Sequence, residues 1–301
     1  MRKSRNRAIG ATVLAIALLA SACSSGGDST DGPTIVIGSA NFSEAALVAE
    51  IYAQALEADG ISVERKLNTG SREIYAPALE AGELDLVPEY VGTALTFLGG
   101  TASGDTDATA EALAETWGAN GIAVLDPAPA QDKNGIVVRA DTAADLGLTK
   151  TSDLAAHNGT LVFGGPPECP EREFCLIGLT DVYGLQFAEF KPLDVGGPLT
   201  VAALEGDEIQ VALLFTSDGV ISAKGFVLLE DDLGLQPAEN LVPAVRQEII
   251  DAYGGAVERV LNAVSAKLTT DQLSLMNKQI GIDGLDPDTV ASDWLEANGL
   301  K

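Results

Sequence analysis

The chain has 301 residues, which is enough for one large domain or for two lobes of about 130 residues each. Hydrophobic residues make up 46% and charged residues 21%, a mixture too apolar for disorder and too charged for many membrane spans. Lys and Arg number 18 against 44 Asp and Glu, so the chain would repel a phosphate backbone and we expect no nucleic-acid partner. One histidine (His157, in a polar surface segment) and three cysteines leave little material for a zinc site. We expect neither a metal nor a cofactor.

The first 22 residues are typical of a secretory signal peptide. Basic residues at positions 2, 3, 5 and 7 precede an apolar run at 8–20 that is too short to span a bilayer as a mature anchor. The run ends in Ala20-Ser21-Ala22-Cys23, which resembles a bacterial lipobox with Cys23 as the lipidated first residue. The alternative is an ordinary signal peptide that is cleaved before an incidental cysteine. Residues 23–32 are a flexible tether rich in Ser, Gly, Asp and Thr.

Strand-like and helix-like segments alternate after this tether. A short apolar run at 34–38 ends in glycine and predicts a buried strand, and Ser43 is a candidate N-cap for a helix that reaches about Asp59. A strand, a helix and a strand follow at 61–67, 71–81 and 84–88. This β-α-β-α-β order predicts a parallel sheet with right-handed crossovers.

The middle of the chain repeats the same alternation, and the last part is helical. The patterns predict strands at 135–139, 160–164, 189–195, 210–215 and 225–229. They predict helices at 151–156, 174–183, 199–205, 257–268, 270–279 and 286–296. We therefore expect two lobes, 33–134 plus 242–301 and 135–241, with the chain crossing between them near 132–137 and 241–246.

Two further cysteines, Cys169 and Cys175, lie close together in the sequence. Outside the cytoplasm such a pair indicates a disulfide that closes a short loop. The alternative is two buried free thiols that pack as small hydrophobic residues.

Four segments resemble, in order, the substrate-binding proteins of osmoprotectant (glycine betaine/choline/carnitine) ABC importers. They are residues 35–44, 78–95, 215–232 and 236–246, and the most specific contains Pro88-Glu89-Tyr90-Val91-Gly92-Thr93. The resemblance implies an α/β type II periplasmic-binding-protein fold with two lobes, a two-segment hinge and a ligand in the cleft. It also implies a monomer that is not an enzyme and that lies outside the cytoplasm, lipid-anchored to the outer face of the cell membrane through Cys23. The implied partners are a small cationic or zwitterionic solute and the ABC permease.

The resemblance also implies a set of ligand-binding residues. These are Asn41, Tyr90, Thr93, Asp132, Asn134, Arg172, Phe215 and Glu239. Tyr90 and Phe215 keep rings for a trimethylammonium group, and Arg172 lies near the expected carboxylate-binding arginine. Asn134 and Glu239 replace tyrosines of the family, and Ala40 replaces a lysine. These departures predict a preference shifted towards ligands with a net positive charge.

Five of these residues have a structural alternative. Tyr90 and Phe215 would also suit a packed core, and Asp132 and Glu239 would also suit an exposed acidic surface. Arg172 could pair only with its neighbours Glu171 or Glu173.

Other functions are compatible with parts of the sequence. Ser217 and His157 could nominally form a hydrolase triad, but there is no Gly-x-Ser-x-Gly elbow, so we expect no enzyme. A polyamine or another cationic metabolite would suit the same cleft. A sensory lipoprotein without a transporter would use it as well.

Overall fold

A computed structural model describes residues 32–301. The predicted signal peptide, the lipidation site at Cys23 and the tether as far as residue 31 lie outside the described residues. The described chain contains two five-stranded mixed sheets, so the predicted α/β class with two sheets is confirmed.

The first sheet has the order β2-β1-β3-β10-β4. Its strands are β1 (Ile35–Ala40), β2 (Val63–Gly70), β3 (Leu86–Tyr90), β4 (Ile122–Val124) and β10 (Leu241–Arg246). The first three strands are parallel, as their connecting helices predict. Strand β10 comes from the far end of the chain and is inserted antiparallel between β3 and β4.

The second sheet has the order β7-β6-β8-β5-β9. Its strands are β5 (Asn134–Val138), β6 (Val162–Gly165), β7 (Glu189–Pro192), β8 (Val211–Phe215) and β9 (Val227–Leu228). Strand β6 is parallel to both of its neighbours, whereas β5 is antiparallel to β8 and β9. The two sheets thus share one design, in which four strands run in the same direction and the strand that arrives from the other sheet runs opposite to them.

Helices surround both sheets. Those of the first lobe are α1 (Ser43–Ala58), α2 (Arg72–Glu80), α3 (Val91–Phe97), α4 (Thr106–Gly118), α9 (Gln247–Tyr253), α10 (Ala256–Ser265), α11 (Thr270–Gly281) and α12 (Pro287–Ala297). Those of the second are α5 (Ala140–Leu146), α6 (Gly178–Asp181), α7 (Pro198–Glu205) and α8 (Gly219–Lys224), with shorter 3₁₀ or π turns at Thr151–His157, Cys169–Glu171 and Glu173–Ile177. Within the described range, no helix is both long and apolar enough to cross a membrane.

Helix α1 is the centre of the larger core. Its apolar residues Leu47, Ile51 and Leu56 are fully buried, and the helix packs between β1 and the C-terminal helices α10 and α12. Burying one such side chain contributes about 1.5–3 kcal/mol. The first turn of α1 is therefore held rigidly at the edge of the first sheet, next to the crossing segments.

Both predicted crossings, 132–137 and 241–246, overlap a strand, since β5 begins at Asn134 and β10 at Leu241. Residues 241–246 form strand β10 inside the first sheet, because the apolar run Leu241-Val242-Pro243-Ala244-Val245 is fully buried there. The chain crosses just before it, where Asn240 pairs with Gln131 and the Asp132 amide donates to the Glu239 carbonyl at 3.0 Å. Asn134 is the first residue of β5 in the second sheet, and Leu241 is the first residue of β10 in the first sheet.

The predicted helix at 174–183 is also corrected. A π-type turn at Glu173–Ile177 leads into the short α6, and the backbone at Cys175 is not helical. The disulfide between Cys175 and Cys169 closes a short loop at this point of the chain.

Candidate functional site

A cavity of about 350 Å³ lies between the two sheets. Parallel strands β1, β3 and β8 point their carboxyl ends at it, with Ala40, Tyr90 and Phe215 as their last residues. Antiparallel strands β5 and β10 begin at the same place, so the crossing residues before them also reach it. Ligands in open α/β sheets bind at this edge, and the volume suits a small molecule.

All eight residues proposed from the sequence line this one cavity. They are Asn41, Tyr90, Thr93, Asp132, Asn134, Arg172, Phe215 and Glu239. They come from both lobes and from the crossing segments, and residue pairs far apart in the chain meet here.

Three aromatic rings form the apolar wall of the cavity, and we call them the ring trio: Phe42, Tyr90 and Phe215. The Phe42 ring stacks on Phe215 with centroids 5.1 Å apart and faces Tyr90 at 6.1 Å. Sequence reasoning missed Phe42. Its signal was its position, since it is the N-cap of α1 and makes no side-chain cap bond, although polar residues are preferred there.

Asp132 lies beside the ring trio and is only 5% exposed, so the surface alternative for it is wrong. Its carboxylate accepts hydrogen bonds from the Ser217 amide at 3.0 Å and the Thr216 hydroxyl at 3.4 Å. Burial, and then the negative charge of Glu44, raise the pKa of Asp132 well above its usual range. A cation bound nearby would favour the ionised form.

Glu44 connects the rings to the crossing region. It accepts hydrogen bonds from the Tyr90 hydroxyl at 2.6 Å, from the Ser217 hydroxyl at 2.5 Å and from the Asn277 amide at 2.5 Å. Burial is the main cause that raises the pKa of Tyr90 well above its usual value, followed by Glu44. Tyr90 therefore remains a neutral ring whose orientation is fixed by one strong hydrogen bond.

Arg72, the first residue of α2, is a cavity residue that the sequence did not identify. Its guanidinium donates to both Glu89 carboxylate oxygens and to the Thr93 hydroxyl, each at 2.9 Å. Tyr75 also donates to Glu89, at 2.7 Å. Arg72 is therefore already neutralised and held by its own lobe. The signal for it was Glu89, a carboxylate in a buried strand that needs a cationic partner.

Glu239 faces the same cavity and is 2% exposed, so the surface alternative is wrong for it as well. Its carboxylate accepts from the Thr93 amide at 2.9 Å and contacts the Thr93 hydroxyl at 3.4 Å. Burial raises the pKa of Glu239 to about 8, while the Arg72 charge opposes that rise. The cavity wall thus contains a carboxyl group that titrates near neutral pH.

The opposite wall is a loop closed by the disulfide between Cys169 and Cys175, whose Cα atoms are 5.3 Å apart. Arg172 projects from this loop across the cavity to Glu73, with Nη2 2.6 Å from Oε1. Its guanidinium also lies 5.7 Å from the centre of the Phe97 ring. The alternative in which Arg172 pairs only with Glu171 or Glu173 is therefore wrong, because the guanidinium reaches Glu73 in the other lobe.

The remaining polar residues of the site have defined positions. Asn134 donates through its side-chain amide to the Phe174 carbonyl at 2.9 Å, while Asn41 is exposed at the cavity wall. The hydroxyl of Ser217 donates to Glu44, and the His157 ring lies 3.4 Å from the Leu146 carbonyl. Between residues 32 and 301, no group of three or more His, Cys, Asp or Glu side chains is arranged to hold a metal ion.

Comparison with known proteins gives a consistent result. Residues 33–297 match the family described as the substrate-binding domain of the ABC-type glycine betaine transport system. The glycine betaine-binding protein YehZ of Escherichia coli K12 is 28% identical over 88% of this chain and 90% of its own. The carnitine transport binding protein OpuCC of Listeria monocytogenes is 27% identical over 95% and 94% of the two chains. A solved glycine betaine/carnitine/choline ABC transporter structure covers 88% of this chain and 99% of its own, with a TM-score of 0.71 and 24% identity. That likeness shows the type II periplasmic-binding-protein fold.

Proposed function

The chain belongs to the family of substrate-binding domains of ABC-type glycine betaine transport systems, and from this premise we propose that its solute is a quaternary-ammonium or related small cation. The cavity between the two sheets captures this solute, and the transmembrane permease of an ABC importer receives it. Closure of the two lobes about the crossing segments encloses the ligand and presents a closed surface to the permease.

The ring trio beside Asp132 is the observation that carries this proposal. A trimethylammonium group is a diffuse cation without N–H donors, and proteins hold such groups over aromatic faces. Phe42, Tyr90 and Phe215 line the cavity with their rings. The buried carboxyl group of Asp132 supplies the opposite charge, because a bound cation favours its ionised form.

The charged side chains of the cavity favour a ligand with a net positive charge. Glu239 adds a second buried carboxyl group to the cavity, where the resemblance led us to expect a ring. Arg72 is occupied by Glu89 and Thr93, so its guanidinium does not offer a free site for a ligand carboxylate. The charges that face the ligand therefore favour choline, or another amine, over the zwitterion glycine betaine.

A thermal-shift screen of the full-length chain tests the proposal. The panel contains betaines, choline, carnitine, ectoine, ergothioneine and polyamines. A ligand that binds only the folded state raises the free energy of unfolding by about 2.7 kcal/mol at 100 times its Kd, and the unfolding midpoint rises with ligand concentration. We expect a quaternary ammonium compound to give the largest shift. A panel in which only polyamines act would identify a different cationic solute, and a panel without any shift would contradict the proposal.

We also propose that the mature chain begins at lipidated Cys23 and acts as a monomer outside the cytoplasm, attached to the outer face of the cell membrane. The basic, apolar and Ala-Ser-Ala-Cys succession of residues 2–23 supports this placement. A diacylglycerol on the cysteine sulfur together with an N-acyl chain gives the two or more chains that stable attachment needs. Intact mass of the membrane-fraction protein tests it, since an unmodified Cys23 in secreted protein would contradict lipidation.

A further inference from the structure

The two guanidinium groups that line the cavity differ in how they are held. Arg72 donates three hydrogen bonds within its own lobe, and its side chain is 11% exposed. Arg172 belongs to the other lobe and forms its ion pair with Glu73, whose side chain is 47% exposed. A ligand can therefore compete for Arg172, whereas Arg72 is enclosed.

Glu73 is prepared for this contact by its own helix. It lies in the first turn of α2, and the Ser71 hydroxyl donates to its Oε2 atom at 2.7 Å, which leaves Oε1 for Arg172. Burial acts to raise the pKa of Glu73, but the Ser71 hydrogen bond and the charges of Arg172 and Arg72 hold it below its usual value. Glu73 is therefore ionised at neutral pH.

A ligand carboxylate in this cavity would need the guanidinium that Glu73 occupies. Arg binds carboxylates through paired N–H groups, and one carboxylate neutralises its charge. Glu73 is part of the same chain, so its local concentration at Arg172 is high and a free carboxylate must displace it. A quaternary ammonium cation without a carboxylate pays no such penalty, since it needs only the ring trio and Asp132.

We propose that Glu73 is a specificity-determining residue that occupies on Arg172 the position of a ligand carboxylate, so that the site selects net cations over zwitterions. This inference rests on the proposed function. Glu73 acts through Arg172 and is a positioning residue, which distinguishes it from Asp132 and the ring trio. The discrimination between two ligands, rather than the affinity for either one, is the quantity that it controls.

Calorimetry on the full-length chain with choline and glycine betaine tests the inference. In Glu73→Gln the guanidinium is released, so we expect glycine betaine to bind about tenfold more tightly, equivalent to about 1.4 kcal/mol, while choline changes less than about twofold. Glu73→Asp keeps the charge and should retain most of the wild-type discrimination. Glu83→Gln removes the same charge from an exposed site and controls for net charge.

The double variant Glu73→Gln with Arg172→Gln identifies the partner. It should lose the betaine gain of the single variant, because the benefit requires a free guanidinium. If Glu73→Gln binds choline and its ratio of glycine betaine Kd to choline Kd is that of the wild type, the inference is overturned and the proposed function stands. The same holds if both Kd values change by the same factor, since the Arg172–Glu73 ion pair then affects only lobe closure. Failure of the wild-type chain to bind either ligand overturns the inference and counts against the proposed function.

Discussion

The ring trio is the residue-scale feature that most directly determines affinity. A cation–π contact contributes up to about 2 kcal/mol when it is desolvated, so Phe42→Ala and Phe215→Ala should each weaken choline binding by roughly tenfold or more. Phe215→Tyr keeps the ring and should bind nearly as well as the wild type. Phe187 stacks on Phe163 in the core of the second lobe, so Phe187→Leu should lower the unfolding midpoint without changing the choline Kd. Equal affinity in all four variants would contradict the assignment.

Glu239 gives the site a pH dependence whose sign is fixed by its raised pKa. Its pKa is about 8 in the folded chain, against 4.5 for an exposed glutamate, so the folded state favours the protonated form. Its contribution to folding stability is therefore complete below about pH 4.5 and is lost as the pH rises through 8. Choline carries a permanent charge and favours ionised Glu239, so choline affinity should rise between pH 6 and 9, while stability falls.

Calorimetry on Glu239→Gln and Glu239→Tyr checks this assignment. Gln should flatten the pH dependence and weaken choline by about 1–3 kcal/mol at high pH. Tyr should recover part of the glycine betaine affinity, because it restores an aromatic wall. Burial also raises the pKa of Asp132, so a pH dependence of the same sign should remain in both variants. Identical profiles in all three proteins would place Glu239 outside the site.

The site residues show what the sequence can and cannot predict. Tyr90, Thr93 and Glu239 were found from short motifs, and the structure places all of them at one cavity. Phe42 and Arg72 were missed because their roles depend on neighbours distant in the sequence, Phe215 and Glu89. From the sequence alone, a ring that follows a strand is typical of a core residue, and an arginine at a helix start is typical of a surface residue. Only the positions of Phe215 and Glu89 show that Phe42 and Arg72 line the cavity.

At the scale of elements, the disulfide loop holds Arg172 at the cavity. A loop this short contributes about 2–3 kcal/mol in the chain-entropy model. Replacing Cys169 and Cys175 together with serine should lower the free energy of unfolding by that amount in urea titrations. Reductant should have the same effect on the wild type and none on the variant. Native protein in which both cysteines react with a thiol reagent would contradict the bonded loop.

Helix α3 depends on a glycine where it meets the second crossing segment. A Cβ atom at Gly92 would lie 2.5 Å from the Ala238 carbonyl oxygen and 3.0 Å from Glu239 Oε1. We expect Gly92→Ala to cost about 1–3 kcal/mol through overpacking and to weaken choline binding, because the Glu239 carboxylate must move. Gly118 has open space around it, so Gly118→Ala should be neutral or slightly stabilising. Similar unfolding midpoints for the two variants would contradict this close approach.

Strand β10 shows where reasoning from local pattern stops. Its apolar run was visible in the sequence, yet it was assigned to a crossing, because no local signal says which sheet a distant strand joins. It pairs with β3 over five residues, from Leu241↔Tyr90 to Val245↔Leu86, and this pairing depends on tertiary contacts rather than on the local sequence. The strands of the parallel part were easier, since each helix between them returns the chain to the same sheet.

At the scale of the whole molecule, the acidic residues have two different locations. The acidic balance of 44 Asp and Glu against 18 Lys and Arg spreads over both lobes and favours solubility. Six Asp and Glu side chains are buried within residues 32–301, and three of them, Glu44, Asp132 and Glu239, lie where the lobes meet. Opposed carboxyl groups at a junction disfavour one another, and a bound cation offsets that repulsion.

A crystal structure of the full-length chain grown with choline tests whether the ring trio and Asp132 bind a quaternary ammonium cation between the lobes. We expect the choline nitrogen within about 6 Å of the ring centroids of Phe42, Tyr90 and Phe215, with Asp132 as the nearest carboxylate. Choline bound elsewhere, or a cavity that stays without choline at saturating concentration, would contradict it.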